Sequence, residues 1–206
     1  FAYSRPGYGA SPPVEPGLPL HYIRRHALEV LPAILDAIGF KRGLLLGHSD
    51  GASMAAAYAG NVADARVRGL ALIAPHFCVE AETLAEIRNA RAAFETGDLR
   101  QRLARHHRFV DAAFRGWNDV WLQPEFVAFD LSEDLARIRA PVLVLRGELD
   151  RYGTRRQVEI AEKHGFKTEV LAGCGHVPHR EKPAQTVEAI GAFYEAVMGG
   201  IAAAPA

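Results

Sequence analysis

Apolar residues in this chain fall into two kinds of run, and the two alternate. Leu44-Leu45-Leu46, the stretch 67–75 (VRGLALIAP) and the stretch 141–146 (PVLVLR) are apolar and too short for helices, which predicts buried strands, and 168–171 reads as a further strand. Between them lie longer stretches of helical period. Residues 21–38 carry Ala27, Val30, Leu31, Ile34 and Ile38 on one face, with Pro32 predicting a kink. Ala52, Ala55, Ala56 and Ala59 give the next helix a face of small side chains, and a short helix is expected over 157–164. Residues 184–198 form the last helix, with Pro183 suited to its first turn and Val187, Ile190, Tyr194 and Val197 expected as its buried face. Strand and helix in alternation predict an α/β fold with a mostly parallel sheet and helices on both faces.

The alternation fails over 79–140. There Leu84, Ile87 and Phe94, then Leu99, Leu103, Val110, Phe114, Trp117 and Trp121 recur near helical spacing with no strand between them. The expectation is a core made of 1–78 and 141–199, interrupted by a helical insertion at 79–140 on the loop side of the sheet and followed by a disordered tail at 200–206. Phe1-Ala2-Tyr3 reads as the tail of a strand, and residues 4–13, dense in Gly, Pro and Ser, as loop.

Composition narrows the partners. With 206 residues, 49% hydrophobic and 23% charged, the chain can bury a sizeable core. Its formal charge is zero, so neither nucleic acid nor an anionic membrane surface is favoured. Cys78 and Cys174 are too few for a disulfide framework, which fits a reducing, cytoplasmic setting. No apolar run approaches the roughly 18 residues of a membrane span.

The chemistry begins where the first apolar run meets the alanine-faced helix. Gly47-His48-Ser49-Asp50-Gly51 is a G-x-S-x-G pattern at a strand-to-helix turn, where small neighbours let a hydroxyl stand clear of the backbone. Ser49 is the candidate nucleophile; the competing reading is a glycine-rich turn capped by a serine. A serine needs a base beside it, oriented in turn by a carboxylate. Asp150 follows one strand in Gly147-Glu148-Leu149-Asp150, with Glu148 and Asp134 as rivals. His176 follows another in Gly173-Cys174-Gly175-His176, with His179 as its nearest rival. Trp117 and Trp121, at i and i+4, either line a pocket or bury the helical segment, and His76 and Phe77 stand just past a strand's carboxyl end. His106-His107 with Asp111 has half of a metal-site spacing, without a third ligand cluster, and no metal is expected.

These stretches resemble the α/β-hydrolase superfamily over nearly the whole chain. Ser4 to Ser11 is similar to the loop after the family's fourth strand, with Ser4 where Asp is usual. Gly47 to Gly51 is similar to the nucleophile elbow, Gly147 to Asp150 to the acid turn, and Gly173 to Pro183 to the histidine loop and the start of its helix. Asp50 after the serine also resembles the valacyclovir-hydrolase-like branch. The resemblance implies a triad of Ser49, Asp150 and His176, an oxyanion donor at the Asp50 N–H, a small-molecule substrate as partner, and no cofactor. It also makes 79–140 a cap over the site, with His48, His76, Phe77, Phe114, Trp117, Trp121 and Val177 as pocket candidates. The second oxyanion donor is expected upstream of Phe1, within on the order of 50 residues of missing strands and connections.

The expected activity is hydrolysis of a small or medium carboxylic ester, thioester or amide through an acyl-enzyme. The alternatives are carbon–carbon bond hydrolysis of a diketone, or a non-catalytic ligand-binding protein or inactive fragment on the same scaffold.

Overall fold

The computed structural model describes residues 1–13 and 17–199; the tail expected at 200–206 lies outside the described residues. Four of the predicted strands are present: β1 (Gly43–His48), β2 (Val67–Ile73), β3 (Val142–Gly147) and β4 (Lys167–Leu171). They form one sheet in the order β1-β2-β3-β4, every pair parallel. Parallel neighbours need crossovers, and the helical stretches supply them. The rung His48, Ile73, Leu145, Glu169 runs across all four strands. The loops bearing Ser49, Asp150 and His176 therefore leave the same end of the sheet.

The helical segments begin with α1 (Tyr22–Arg25), a π turn (His26–Val30), α2 (Leu31–Ala37), α3 (Asp50–Asn61), α4 (Ala81–Thr96), α5 (Leu99–Ala104), α6 (Val110–Trp121) and a 3-10 turn (Pro124–Ala128). They are followed by α7 (Ser132–Arg137), α8 (Arg155–Lys163), α9 (Pro178–Glu181) and α10 (Pro183–Gly199). The kink expected at Pro32 takes the form of the π turn, in which the Leu31 N–H donates to the His26 carbonyl. Pro32 has no N–H with which to continue the regular ladder. The wider turn also rotates the following helix, so Leu35 is buried, Ile34 half-buried and Ile38 exposed, instead of Ile34 and Ile38 both facing inward.

Two other expectations need correction. Phe1-Ala2-Tyr3 is not a strand: the segment is irregular and Phe1 and Tyr3 are exposed, so no apolar burial holds it extended against a neighbour. On α10 the buried face is Thr186, Ala189 and Phe193, while Val187 is 70% exposed and Tyr194 45%. Phe193 and the small Ala189 pack on Ile73, Leu143 and Leu145, and Ile190 and Val197 flank that cluster. The larger Val187 and Tyr194 are rotated away from it.

The described residues divide into two compact units. One comprises Phe1–Tyr22 and Val79–Ala128, and the other Ile23–Cys78 with the chain from Phe129 onward. In the first, Phe94 and Phe114 stack with centroids 3.9 Å apart, Val110 completes the cluster, and Trp117 sits edge-on to Phe114. Trp121 is buried and its indole N–H donates to the Tyr22 hydroxyl at 2.9 Å. The second unit is the sheet with its helices, and α7 belongs to it. Asp134 of α7 is buried and receives Arg24, Asn61 and Arg137.

Contact between α3 and α7 depends on Gly60, where a Cβ would run into the backbone carbonyl of Asp134. Gly60→Ala is expected to lower stability by about 1–3 kcal/mol, because the helix-propensity gain of roughly 1 kcal/mol is outweighed when two backbones must separate. Gly191→Ala, on an exposed turn of α10 with open space at the Cβ position, is expected to raise it instead. Thermal unfolding of the two variants beside the parent checks both signs.

Candidate active site

Gly47 is the penultimate residue of β1, just before the chain turns into α3. A Cβ there would overlap the backbone of Gly51 and Ala52 as α3 begins, so this position admits only glycine. Gly51 has open space at its Cβ position and no positive φ, so of the two glycines in the motif only the first is demanded by contact. Between them Ser49 sits at φ 53°, ψ −123°, a conformation that costs a non-glycine residue about 1–3 kcal/mol. Three backbone bonds hold it there: its N–H donates to the Ile73 carbonyl at 2.9 Å, and its carbonyl accepts from Ala52 and Ser53. The Ser53 hydroxyl in turn donates to the His76 carbonyl and accepts the His76 N–H, fastening α3 to the loop after β2.

The Ser49 hydroxyl lies 3.1 Å from His176 Nε2, and His176 Nδ1 lies 2.9 Å from both carboxylate oxygens of Asp150. The Asp150 side chain is 3% exposed and that of His176 16%. With Nδ1–H donated to a carboxylate, Nε2 is left to accept the serine proton. Burial alone would raise the Asp150 carboxyl, but the bonds from His176 and from the Tyr152 N–H bring it below the ordinary carboxylate value. The rivals are engaged elsewhere. Glu148 accepts the Gly173 N–H, Asp134 is held among arginines on α7, and His179 meets the edge of the His48 ring.

Several residues besides Ser49, Asp150 and His176 set this geometry. Gly147 lets β3 pass against the histidine loop, since a Cβ there would overlap the carbonyls of Cys174 and Gly175. Arg146 is buried, and its guanidinium donates to the carbonyls of Gly153 and Asp150, tightening the acid turn from within. Its sequence signal is a lone cation in an apolar strand. Glu181 reaches back so that one carboxylate oxygen accepts the Gly175 N–H at 2.7 Å and the other the Val177 N–H at 2.9 Å. Those two bonds hold the Glu181 carboxyl below its usual value. Tyr152 packs on the His176 ring with centroids 4.7 Å apart.

Of the pocket candidates, His48, His76 and Val177 lie in the sheet unit around His176. The His48 and His76 rings are centred 5.0 and 5.8 Å from the His176 ring. Phe77 is wholly buried, its N–H donated to Gln157 and its carbonyl accepting from Leu131. Phe114, Trp117 and Trp121 belong to the core of the helical unit. His107 accepts the Gly9 N–H through Nδ1.

Burial lowers the His48 imidazole to about 4 and the His76 imidazole to about 3. Both are neutral in the fold and bind a proton more readily once the chain unfolds. Each therefore contributes stability that is complete above the unfolded value of about 6.5 and is lost as the pH falls toward 4. The depressed Asp150 and Glu181 carboxyls add a second loss at lower pH, below about 4. The melting temperature should hold nearly level from pH 8 to about 6.5 and fall below that. His76→Gln should flatten the limb between about 6.5 and 4. A melting temperature rising on acidification from pH 6.5 would contradict the assignment of buried neutral imidazoles.

Residues 1–189 match the family model described as "Alpha/beta hydrolase family". No curated protein matches the chain. Among solved structures it is similar to a membrane phospholipase A described as a bacterial virulence factor, at 26% identity and a TM-score of 0.65, over 88% of this chain and 64% of that one. The chain thus spans less than two thirds of that protein's length. It is also similar to a thermophilic esterase from Thermogutta terrifontis at 21% identity and a TM-score of 0.68, over 93% and 77% of the two chains. An E-2-(acetamidomethylene)succinate hydrolase follows at 20% identity and 0.66, over 91% and 78%. With a parallel sheet, a serine on a strand-to-helix turn and a family match over most of its length, this chain belongs to the α/β-hydrolase family.

Proposed function

We propose that this chain carries the catalytic centre of a serine hydrolase acting on a small or medium carboxylic ester, thioester or amide through an acyl-enzyme. The observation that carries the reading is the continuous hydrogen-bonded path from the Ser49 hydroxyl through the His176 imidazole to the Asp150 carboxylate. Similarity at 26% identity to a protein named as a phospholipase A supports the ester among the three bonds.

The chemistry follows from the protonation states. His176 Nε2 takes the Ser49 proton as the oxygen attacks the acyl carbon, and the imidazolium so formed faces the Asp150 carboxylate, which stays ionised. Negative charge develops on the former carbonyl oxygen. The Asp50 N–H, at the first residue of α3, is the donor this chain brings to it, aided by the positive end of that helix. His176 returns the proton to the leaving group, then draws one from water, whose oxygen attacks the acyl-enzyme; as the acyl–oxygen bond to Ser49 breaks and the acid leaves, His176 gives that proton back to the serine oxygen. The strained backbone of Ser49 serves this sequence by keeping the hydroxyl directed at His176 without a side-chain rearrangement.

A fluorophosphonate probe followed by peptide mass mapping tests the assignment. The adduct should sit on Ser49, disappear in Ser49→Ala, and form at least about 10³-fold more slowly in His176→Ala. Labelling elsewhere, or unchanged ester turnover in Ser49→Ala, would overturn the proposal.

A further inference from the structure

His48 is the last residue of β1 and stands immediately before the serine, yet its imidazole does not reach the serine hydroxyl, whose partner is His176. Its Nε2 instead lies 2.8 Å from the backbone carbonyl of His176, across 128 residues of sequence. A carbonyl oxygen has no proton to give, so the bond requires a proton on Nε2. The imidazole has one to offer in a neutral ring, and burial keeps it neutral, at about 4. Two further rings flank it, His176 tilted at 5.0 Å and His179 edge-on at 4.9 Å between centroids.

The backbone around His176 is therefore gripped on both sides. Glu181 takes the N–H groups of Gly175 and Val177, which fixes the loop to its own following turn. The His48 bond ties the loop's His176 carbonyl to the strand that carries the nucleophile. Without it, the loop and the serine turn remain coupled through Gly147 and through the bond that is to transfer the proton.

Resting on the hydrolase reading above, we propose that His48 is a positioning residue: its Nε2–H, donated to the His176 carbonyl, locks the base-bearing loop to the nucleophile strand and sets the serine–imidazole distance. It touches neither substrate nor the reacting atoms. Its neutrality is part of the design, because a second imidazolium 5.0 Å from His176 would oppose the charge that His176 acquires during acyl transfer.

Two substitutions separate this role from simple packing. His48→Phe keeps a ring of similar size and removes the donor. His48→Gln removes the ring and keeps an N–H donor at comparable reach. Second-order labelling of Ser49 by the fluorophosphonate should fall by roughly 10- to 100-fold in His48→Phe, the order expected when a catalytic pair is misplaced by an ångström or less. His48→Gln should recover most of that loss. In ester assays the defect should appear in kcat with KM little changed. Phe and Gln variants that label alike, or a Phe variant that labels like the parent, would overturn the proposal. Nitrogen-15 NMR of the parent's imidazoles gives a readout independent of turnover: His48 should be a neutral ring protonated at Nε2. Finding the proton on Nδ1 would reject the positioning role even if Ser49 reacts. Finding it on Nε2, with Ser49 inert to probe and ester, would uphold the His48 bond and fail the hydrolase reading alone.

Discussion

The site depends on two side chains that are absent. At Gly47 the end of β1 passes so close to the start of α3 that a methyl group would strike the backbone, and at Gly147 the end of β3 passes equally close to the loop bearing His176. These contacts set the distances among the parts that present Ser49, Asp150 and His176. The hydrogen bonds then refine what the contacts impose. Ser49 is pinned to the Ile73 carbonyl, and Leu149 donates to the Cys174 carbonyl. Glu181 and His48 grip the backbone of the histidine loop from opposite sides. A strained serine conformation costing about 1–3 kcal/mol persists only because so much around it is already fixed.

Electrostatics follows from the same enclosure. Four histidine rings lie close together at one end of the sheet, and a proton on each would make the site self-repelling. Burial depresses His48, His76 and His179, which favours their neutral forms, and His48 serves as a neutral donor. Asp150 keeps its charge despite burial because its hydrogen bonds outweigh the loss of solvent. The carboxylate thus faces the imidazole that is hydrogen-bonded to the Ser49 hydroxyl.

Much of this was legible in the sequence because its signals are local. Each of the three central residues follows a predicted strand, and Gly47 to Gly51 marks a sharp strand-to-helix turn without reference to anything distant. What escaped is what depends on remote partners. His48 looks like a pocket residue until the chain brings the His176 carbonyl to it, and Arg146 acts through carbonyls that periodicity does not register. The phase of the first helix shifted because Pro32 forces a wider turn, and the buried face of α10 was misjudged because apolar residues occur on more than one side of it. There the sheet accepts Ala189 and Phe193 and leaves Val187 and Tyr194 outside. Gly51 shows the opposite error: the motif suggests that both glycines are required, and contact requires only the first.

The most direct test of this account is the rate at which a fluorophosphonate labels Ser49 when a single methyl group is added at Gly147 or at Gly51. With both variants folded by circular dichroism, Gly147→Ala should label on the order of 10² times more slowly than the parent, because the base loop must move away from the acid turn, while Gly51→Ala should stay close to it. Equal labelling by Gly147→Ala and the parent would show that the close approach of these two backbones does not set the site, and would contradict the central claim.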